Sequence, residues 1–300
     1  MSDFVQQNAS ELSFNSRDSW VILSPIELSI KKKIEAVGVP LKDWDINIYR
    51  GVLTGYNEAF IITTDKRDEI LANCQTPEER HRTEELIRPI LRGRDIKRYG
   101  YEWAGLYLIA TFPSCHYDIE DYPAVKEYLL SFGIERLEQT GKEYVVDGQK
   151  IKARKKTNNK WFETQDSISY WDDFNKTQIV WLELTDEPKF TLVNKMVSLN
   201  TVFFMTGVHL PHILGQLNSK LITWYFHKCL GARSGVGTNR WLKYTIEQLP
   251  LAPYAEEYGE MAYMLSKNYS TNCDEAVNHL TCCLFGLSEA EEEFVNQFHV

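Results

Sequence analysis

Residues 201–230 read TVFFMTGVHLPHILGQLNSKLITWYFHKCL and contain two apolar patterns in succession. The first six residues, TVFFMT, form a short apolar run that predicts a buried strand. From Leu210 onward the apolar residues recur at helical spacing. Pro211 is typical of a first helical turn, and Gly231 is typical of a helix end. The sequence therefore predicts a strand and then one long helix that ends at Leu230.

The rest of the chain mixes strand and helix patterns without a regular order. Ser24 and Glu27 have the spacing of a capping box around Pro25, which predicts a helix start. The other predicted elements are a strand, turn and strand at 46–63, a helix at 77–87, strands at 106–112 and 178–184, a helix opened by Pro123, and two short helices near Asn272 and Ser288. We therefore expect an α+β fold, a mixed-sheet domain with a long helix and a short C-terminal helical appendage.

Acidic and basic residues are unevenly distributed over the 300 residues. Residues 254–300 hold nine acidic residues and one basic residue. Removing them from the totals of 42 and 33 leaves 33 acidic and 32 basic residues, so the net charge of −9 comes almost entirely from the end of the chain. We expect a polar leader at 1–17, a main domain at 18–253 and an acidic helical tail at 254–300.

Composition excludes several classes of protein. With 43% hydrophobic and 25% charged residues, the chain is neither disordered nor a coiled coil. It has no apolar run long enough to cross a membrane, and its start lacks the pattern of a signal peptide. Its six cysteines form no C-x-x-C pair, so we expect a reduced, cytoplasmic protein without a membrane partner.

Two segments concentrate basic side chains in the otherwise neutral part of the chain. Residues 88–98 contain five basic residues and one acid, and residues 152–160 contain five basic residues and no acid. Such patches suit phosphate groups, although either segment could equally be a solvated surface loop. The residues we expect to contact a nucleic-acid backbone are Arg92, Arg94, Lys97, Arg98, Lys152, Arg154, Lys155 and Lys156.

Short polar side chains near glycines form a second group of candidates. Asn158 and Asn159 could bind adenine edges, because an amide side chain can make two hydrogen bonds to that base. Thr54 and Asn57 could do the same from a hairpin tip, although such residues also simply build turns. The glycine-rich segment 231–243 adds Arg233, Arg240 and Lys243, with a flexible connector as the alternative reading.

Motifs for catalysis are weak or missing. The chain has no Pro-Pro pair, which excludes the Asp/Asn-Pro-Pro-aromatic motif of DNA amino-methyltransferases, and no glycine-rich turn for S-adenosylmethionine. Glu187 and Lys189, with Asp172 or Asp173 upstream, leave open an autonomous Mg²⁺-dependent nuclease. A protein- or carbohydrate-interaction module is the other alternative, since the chain has eight Trp and 16 Tyr.

Five stretches in order resemble the C-terminal target-recognition domain of TaqI-like adenine-specific DNA methyltransferases, and most of all that of type IIG restriction-modification enzymes. They are YRGVLTGYNEAFII, IRPILRGRDIKRY, HILGQLNSKLITWYF, RWLKYTIEQLPL and DEAVNHLTCCLFGLSEAEEEFV. The resemblance implies that residues 18–253 are a DNA target-recognition domain, which binds double-stranded DNA and reads its sequence. It also implies a partner methyltransferase or nuclease module, in cis or in trans, that would hold S-adenosylmethionine and Mg²⁺. We expect no catalysis and no cofactor in this chain itself.

Overall fold

A computed structural model of the chain describes residues 23–185, 187–230 and 240–299. Its helices are, in chain order, α1 (Pro25–Val37), α2 (Asn57–Phe60), α3 (Thr64–Ala72), α4 (Pro77–Leu86), α5 (Pro123–Leu130), α6 (Ile134–Leu137), α7 (Leu210–Asn218), α8 (Lys220–Tyr225), α9 (Lys243–Ile246), α10 (Glu256–Lys267), α11 (Thr271–Leu284) and α12 (Glu289–Asn296).

The strands fall between these helices along the chain. In order they are β1 (Val39–Pro40), β2 (Ile46–Arg50), β3 (Ile61–Thr63), β4 (Ile87–Leu91), β5 (Ile96–Lys97), β6 (Gly100–Tyr101), β7 (Leu106–Ile109), β8 (Glu143–Val146), β9 (Gln149–Lys152), β10 (Thr177–Leu182), β11 (Thr191–Asn194), β12 (Val197–Ser198), β13 (Val202–Gly207) and β14 (Pro250–Leu251). Parallel and antiparallel pairs both occur, which confirms the predicted α+β class with a mixed sheet.

The described residues fall into two compact units. Those of Met1–Ile46, Leu184–Lys189 and Gly207–Val300 form unit 1, and those of Asn47–Glu183 and Phe190–Thr206 form unit 2. Unit 1 is mainly helical, and unit 2 contains both four-stranded sheets. The assignment of DNA recognition to residues 18–253 stays a prediction.

Unit 1 begins with the helix that the capping box predicts. The Ser24 hydroxyl accepts a hydrogen bond from the Glu27 amide at 3.4 Å, and the Glu27 carboxylate accepts one from the Ser24 amide at 2.8 Å. Two amide groups that have no partner inside the helix are thereby satisfied. The helix ends at Val37, directly before Gly38, as the sequence predicts.

The prediction of one long helix over 210–230 is wrong. Ser219 leaves the helical conformation, with φ −69° and ψ 151°, so α7 ends and α8 begins. Its hydroxyl donates to the Gln216 carbonyl oxygen at 2.7 Å and accepts from the Ile222 amide at 3.2 Å. Because one serine serves the end of one helix and the start of the next, the apolar spacing continues through the break.

Residues 254–299 contain three helices, where the sequence predicts two. Helix α10 was not predicted, and α11 is capped by Ser270, whose hydroxyl accepts from the Cys273 amide, instead of by Asn272. The capping box of Ser288 and Glu291 at the start of α12 is confirmed. Helices α7 and α10 approach closely at Gly215, where a Cβ atom would lie 2.8 Å from the Tyr258 hydroxyl oxygen.

Unit 2 contains two four-stranded sheets with the orders β11-β10-β13-β2 and β12-β4-β7-β3. In the first sheet β10 pairs antiparallel with both β11 and β13. In the second, β4 pairs parallel with β12 and antiparallel with β7. One apolar cluster joins them, with Ile90 and Leu108 from the second sheet and Val180 and Phe204 from the first, all fully buried.

Residues 46–63 do not form the predicted hairpin. Strands β2 and β3 belong to different sheets, and the short helix α2 lies between them. Ala59 and Phe60 of that helix are fully buried, so the segment enters the core instead of turning back at the surface. A strand pattern on both sides of a glycine-containing turn was insufficient to show which sheet each strand joins.

Candidate nucleic-acid interface

Arg154 is the centre of the predicted basic segment in unit 2, and it is buried, with 4% of its surface exposed. Its Nε donates to the carbonyl oxygen of Leu137 at 2.8 Å, and its Nη1 donates to those of Glu163 at 2.8 Å and Thr54 at 3.0 Å. Burial lowers the pKa of Arg154 to about 10, so the side chain is still charged at neutral pH. The expectation that Arg154 contacts DNA is corrected, because its donors are used inside the protein.

The turn around Gly55 meets the same buried guanidinium. The Thr54 hydroxyl donates to the Asn57 amide oxygen at 2.6 Å and accepts from the Tyr56 amide at 3.2 Å. Thr54 is fully buried, so the expectation that it reads bases is also corrected. Asn57, at the first position of α2, is exposed and stays a candidate.

Asn158 and Asn159 are neighbours in sequence but differ in their surroundings. The Asn159 amide nitrogen donates to the carbonyl oxygens of Thr164 at 3.1 Å and Gln165 at 2.9 Å, so this side chain closes its own loop. Its predicted role in base reading is corrected for that reason. Asn158 is exposed and has no hydrogen bond to another described residue.

Lysines of the basic segment lie on the surface around this buried centre. Lys155 and Lys156 are exposed, and neither has an ion pair of 4 Å or less within the described chain. Lys155 contributes a favourable charge near Asp166, whose pKa is nevertheless raised because burial outweighs the nearby cations. Two cations of the predicted segment are therefore available to an anionic ligand.

A hairpin that the sequence did not predict precedes these lysines and presents further cations. Strands β8 and β9 pair antiparallel, and Asp147 and Gly148 between them both have positive φ, 50° and 77°. This Asp-Gly pair is the expected sequence of a tight two-residue hairpin, and it is the signal that could have predicted it. Alternation along β9 places Lys150 and Lys152 on one face, and both are exposed.

Residues 92–98 hold the DNA-contact candidates of the other predicted basic segment, 88–98. Arg92 donates from Nε and Nη2 to the Asp95 carboxylate, at 3.0 and 2.7 Å, and although burial opposes it, this bonding holds the pKa of Asp95 below its ordinary value. The Arg92 guanidinium therefore fixes the loop, and its contact with DNA stays a prediction. Arg94 lies between Arg92 and Asp95 in sequence. It is exposed and has no ion pair within the described chain.

The other two candidates of this segment, Lys97 and Arg98, have partners within the chain. Lys97 is exposed and lies 3.6 Å from the Glu102 carboxylate, which is itself largely exposed. An exposed pair of this kind contributes little free energy, so a phosphate could displace the carboxylate. The Arg98 guanidinium lies over the Tyr99 ring, 5.1 Å from its centroid.

Main-chain hydrogen bonds connect the two basic segments through the sheet edge. Leu199 donates to the Leu91 carbonyl oxygen at 3.2 Å, directly before Arg92. Val52 donates to that of Ser198 at 2.7 Å, and Asp166 donates to that of Leu53 at 3.2 Å. Segments that are about 60 residues apart in sequence are thereby attached to one rigid region of unit 2.

The basic candidates of the glycine-rich segment 231–243 lie partly outside the described residues. Arg233 lies outside the described residues. Arg240 and Lys243 are exposed residues of unit 1, where Arg240 forms a β-bridge with Leu184 and the Lys243 ammonium lies 3.7 Å from the Glu247 carboxylate. Both stay predictions.

The four residues proposed for the alternative nuclease are divided between the two units, and one of them is bonded inside the protein. The Asp173 carboxylate accepts from Lys176 at 2.7 Å and from the Thr206 hydroxyl at 3.0 Å. Glu187 and Lys189 belong to unit 1, whereas Asp172 and Asp173 belong to unit 2. Within residues 23–185, 187–230 and 240–299, no three His, Cys, Asp or Glu side chains are grouped so as to hold a metal ion.

Comparison with protein families gives a match over the middle and later part of the chain. The family described as the TaqI-like C-terminal specificity domain matches residues 88–251, which is more than half of the chain. No curated protein matches. Among the described helices, none has the length and apolar character needed to cross a membrane.

Two solved structures share the fold at low sequence identity. The type IIL restriction-modification enzyme MmeI, solved in complex with DNA, is 12% identical with a TM-score of 0.55 over 86% of this chain. The type IIG restriction endonuclease BpuSI is also 12% identical, with a TM-score of 0.50 over 87% of this chain. The chain covers 35% and 32% of those proteins, so it spans about a third of their length.

Proposed function

The chain belongs to the family of TaqI-like C-terminal specificity domains, and we propose that it recognises a particular sequence in double-stranded DNA for a methyltransferase or restriction module. The observation that supports this most is the set of exposed cations in unit 2, attached to a region held together by buried Arg154. A rigid attachment matters because DNA recognition requires side chains to keep a fixed register along the duplex.

Backbone contacts are assigned to the exposed cations. Each cation that neutralises a phosphate releases counterions, which makes binding strongly dependent on salt and largely independent of sequence. The residues with this role are Arg94, Lys97, Lys152, Lys155 and Lys156, together with Lys150 of the hairpin.

Base reading is assigned to the exposed amides. Asn158 lies two residues after Lys156, so a phosphate bound by Lys155 and Lys156 would place a base edge within reach of its side chain. An amide bonded to the N6 and N7 atoms of adenine contributes about 1–3 kcal/mol of discrimination. Asn57 is the second candidate. It is bonded to the Thr54 hydroxyl, and the Thr54 carbonyl oxygen is bonded to the buried Arg154 guanidinium.

Methyl transfer and cleavage are assigned to a separate module. The family relationship fits a module that transfers a methyl group to the N6 atom of adenine, with S-adenosylmethionine and Mg²⁺ bound there. The present chain would act without a cofactor of its own and supply the choice of sequence.

Selection from a pool of randomised DNA duplexes tests this proposal. We expect the purified chain to enrich one short sequence motif, and we expect the Lys155→Ala/Lys156→Ala variant to enrich the same motif with weaker binding. Recovery of an unselected pool by the wild-type chain would contradict the proposal. A parallel incubation with radiolabelled S-adenosylmethionine should give no methyl transfer, and labelled DNA would contradict the absence of catalysis.

A further inference from the structure

Three reactive side chains meet at the surface of unit 1, outside the residues assigned to DNA. His279 and Cys283 lie one helical turn apart on α11, and Glu292 lies on α12. The His279 Nδ1 atom is 2.9 and 3.0 Å from the two Glu292 carboxylate oxygens. The Cys283 sulfur is 3.6 Å from the His279 Nε2 atom.

The carboxylate determines which nitrogen of the imidazole can accept a proton. An ionised carboxylate only accepts hydrogen bonds, so Nδ1 of His279 must carry the hydrogen that it donates to Glu292. The Nε2 atom of the neutral ring then has its lone pair directed at the Cys283 thiol. A nucleophile, a base and a group that orients the base are thus arranged in series.

The other cysteines, all within the described chain, lack this arrangement. Burial raises the pKa of Cys229 and of Cys282 to about 12, and it also raises the pKa of Cys74 and of Cys115. Cys273 is exposed on the same helix as Cys283, but no imidazole contacts its sulfur. Cys273 is therefore a control for an exposed cysteine without a base on the same helix, in its first turn where Cys283 is in its last.

We propose that Cys283 is a nucleophilic thiol that forms mixed disulfides with small disulfide molecules, with His279 as its base and Glu292 as the residue that positions the imidazole. The proton moves from the Cys283 sulfur to His279 Nε2, and the thiolate attacks one sulfur of the small disulfide. A new S–S bond forms as the original one breaks. The departing thiolate keeps the electron pair and takes the proton from His279. The small disulfide is the oxidant, and half of it leaves as a reduced thiol.

The expected rate advantage is modest. Proton transfer to a base held against the thiol gives more of the reactive thiolate, and the lower nucleophilicity of a more stable thiolate offsets part of that gain. Cys283 should therefore react about threefold faster than an exposed cysteine without a base. The His279 ring contacts the Cys283 sulfur, Glu292 contacts the other side of that ring, and the buried thiol of Cys282 is the neighbour of Cys283 in sequence.

The test compares reaction with 5,5′-dithiobis(2-nitrobenzoate) in single variants of the full chain. We expect the fast phase to persist in Cys273→Ser, to vanish in Cys283→Ser, and to slow about threefold in His279→Gln and Glu292→Gln. Glu292→Gln should also change the pH profile of the rate, which a purely structural role would leave unchanged. Glutathione disulfide should then add one glutathione mass at Cys283.

Thermal unfolding of each variant shows whether the fold is intact. A variant with unchanged unfolding temperature and a slower rate supports the proposal. Equal rates for the Cys273→Ser and Cys283→Ser variants, or an unchanged rate in correctly folded His279→Gln, would overturn it.

Discussion

The Arg154 guanidinium donates a 3.0 Å hydrogen bond from Nη1 to the main-chain oxygen of Thr54, which lies 100 residues earlier in the sequence. The same group also bonds the carbonyl oxygens of Leu137 and Glu163. One buried cation thus fixes three segments that carry or flank the candidate DNA-binding residues. Its charge acts inside the protein, and its effect on DNA binding is indirect.

Replacing Arg154 by alanine should lower stability much more than replacing its exposed neighbour Lys155. The change leaves buried carbonyl oxygens without donors, and we expect a loss of about 3 kcal/mol or more in the free energy of unfolding. Urea unfolding followed by tryptophan fluorescence measures it. Similar unfolding midpoints for Arg154→Ala and Lys155→Ala would show that the buried guanidinium does not hold the segments together.

The adjacent residues Asn158 and Asn159 should separate recognition from stability. Asn159→Ala removes two hydrogen bonds to carbonyl oxygens and should cost about 1–3 kcal/mol of stability. Asn158→Ala should leave stability unchanged and weaken the preference at one base pair. Thermal melting and binding to a panel of single-base variants measure the two effects. A uniform loss on every duplex for Asn158→Ala would remove it from base reading.

Gly51 should be sensitive to the smallest substitution. A Cβ atom there would lie 2.2 Å from the Leu199 carbonyl oxygen, at the sheet edge that connects the two basic segments. Gly51→Ala should therefore destabilise the chain by about 1–3 kcal/mol, because main-chain atoms must move. Gly100→Ala is the matched control, since no atom lies within 4 Å of its Cβ position. Equal melting temperatures for the two variants would contradict this close approach.

Acid should weaken unit 1 partly through Glu291. Although burial opposes it, hydrogen bonds from Lys33, Ser288 and Ser29 lower the pKa of Glu291 to about 2, whereas an unfolded glutamate has a pKa of about 4.5. A lowered carboxyl pKa stabilises the fold above the unfolded value, and this contribution is lost as the pH falls from about 4.5 towards 2. The full contribution is about 3 kcal/mol.

The pH dependence of unfolding in matched variants tests that contribution. Glu291→Gln should be less stable than wild type at pH 7, and the difference should shrink as the pH falls from about 4.5 towards 2. Glu289→Gln, an exposed residue of the same helix, should follow the wild-type profile. A constant difference between wild type and Glu291→Gln over this range would contradict the assignment.

Local sequence patterns predicted helix ends and strand positions better than they predicted contacts. The capping boxes at Ser24 and Ser288 were correct because each depends on residues three positions apart. The break at Ser219 escaped prediction because the apolar spacing continues through it. Which sheet β2 and β3 join depends on partners far away in sequence, and no local pattern contains that information.

The candidate site was predicted as a region but only in part as individual residues. Both basic segments belong to unit 2, and Arg94, Lys155 and Asn158 are exposed as expected. Sequence could not distinguish Arg94 from Arg92, because the difference is that Arg92 bonds Asp95. It could not distinguish Asn158 from Asn159 either, because the difference is that Asn159 bonds the carbonyl oxygens of its own loop. Basic composition indicates where charge lies along the chain, and only tertiary contacts show which charges remain available.

The salt dependence of DNA binding tests the central claim most directly. Each lost phosphate contact should reduce the slope of log K against log salt concentration by about 0.9. We therefore expect Lys155→Ala/Lys156→Ala to reduce the slope by about 1.8 and Arg94→Ala by about 0.9, with folding unchanged. Lys32→Ala, which removes an exposed lysine of α1 in unit 1, should keep the wild-type slope. A wild-type slope in the unit 2 variants as well would show that DNA does not bind where this account places it.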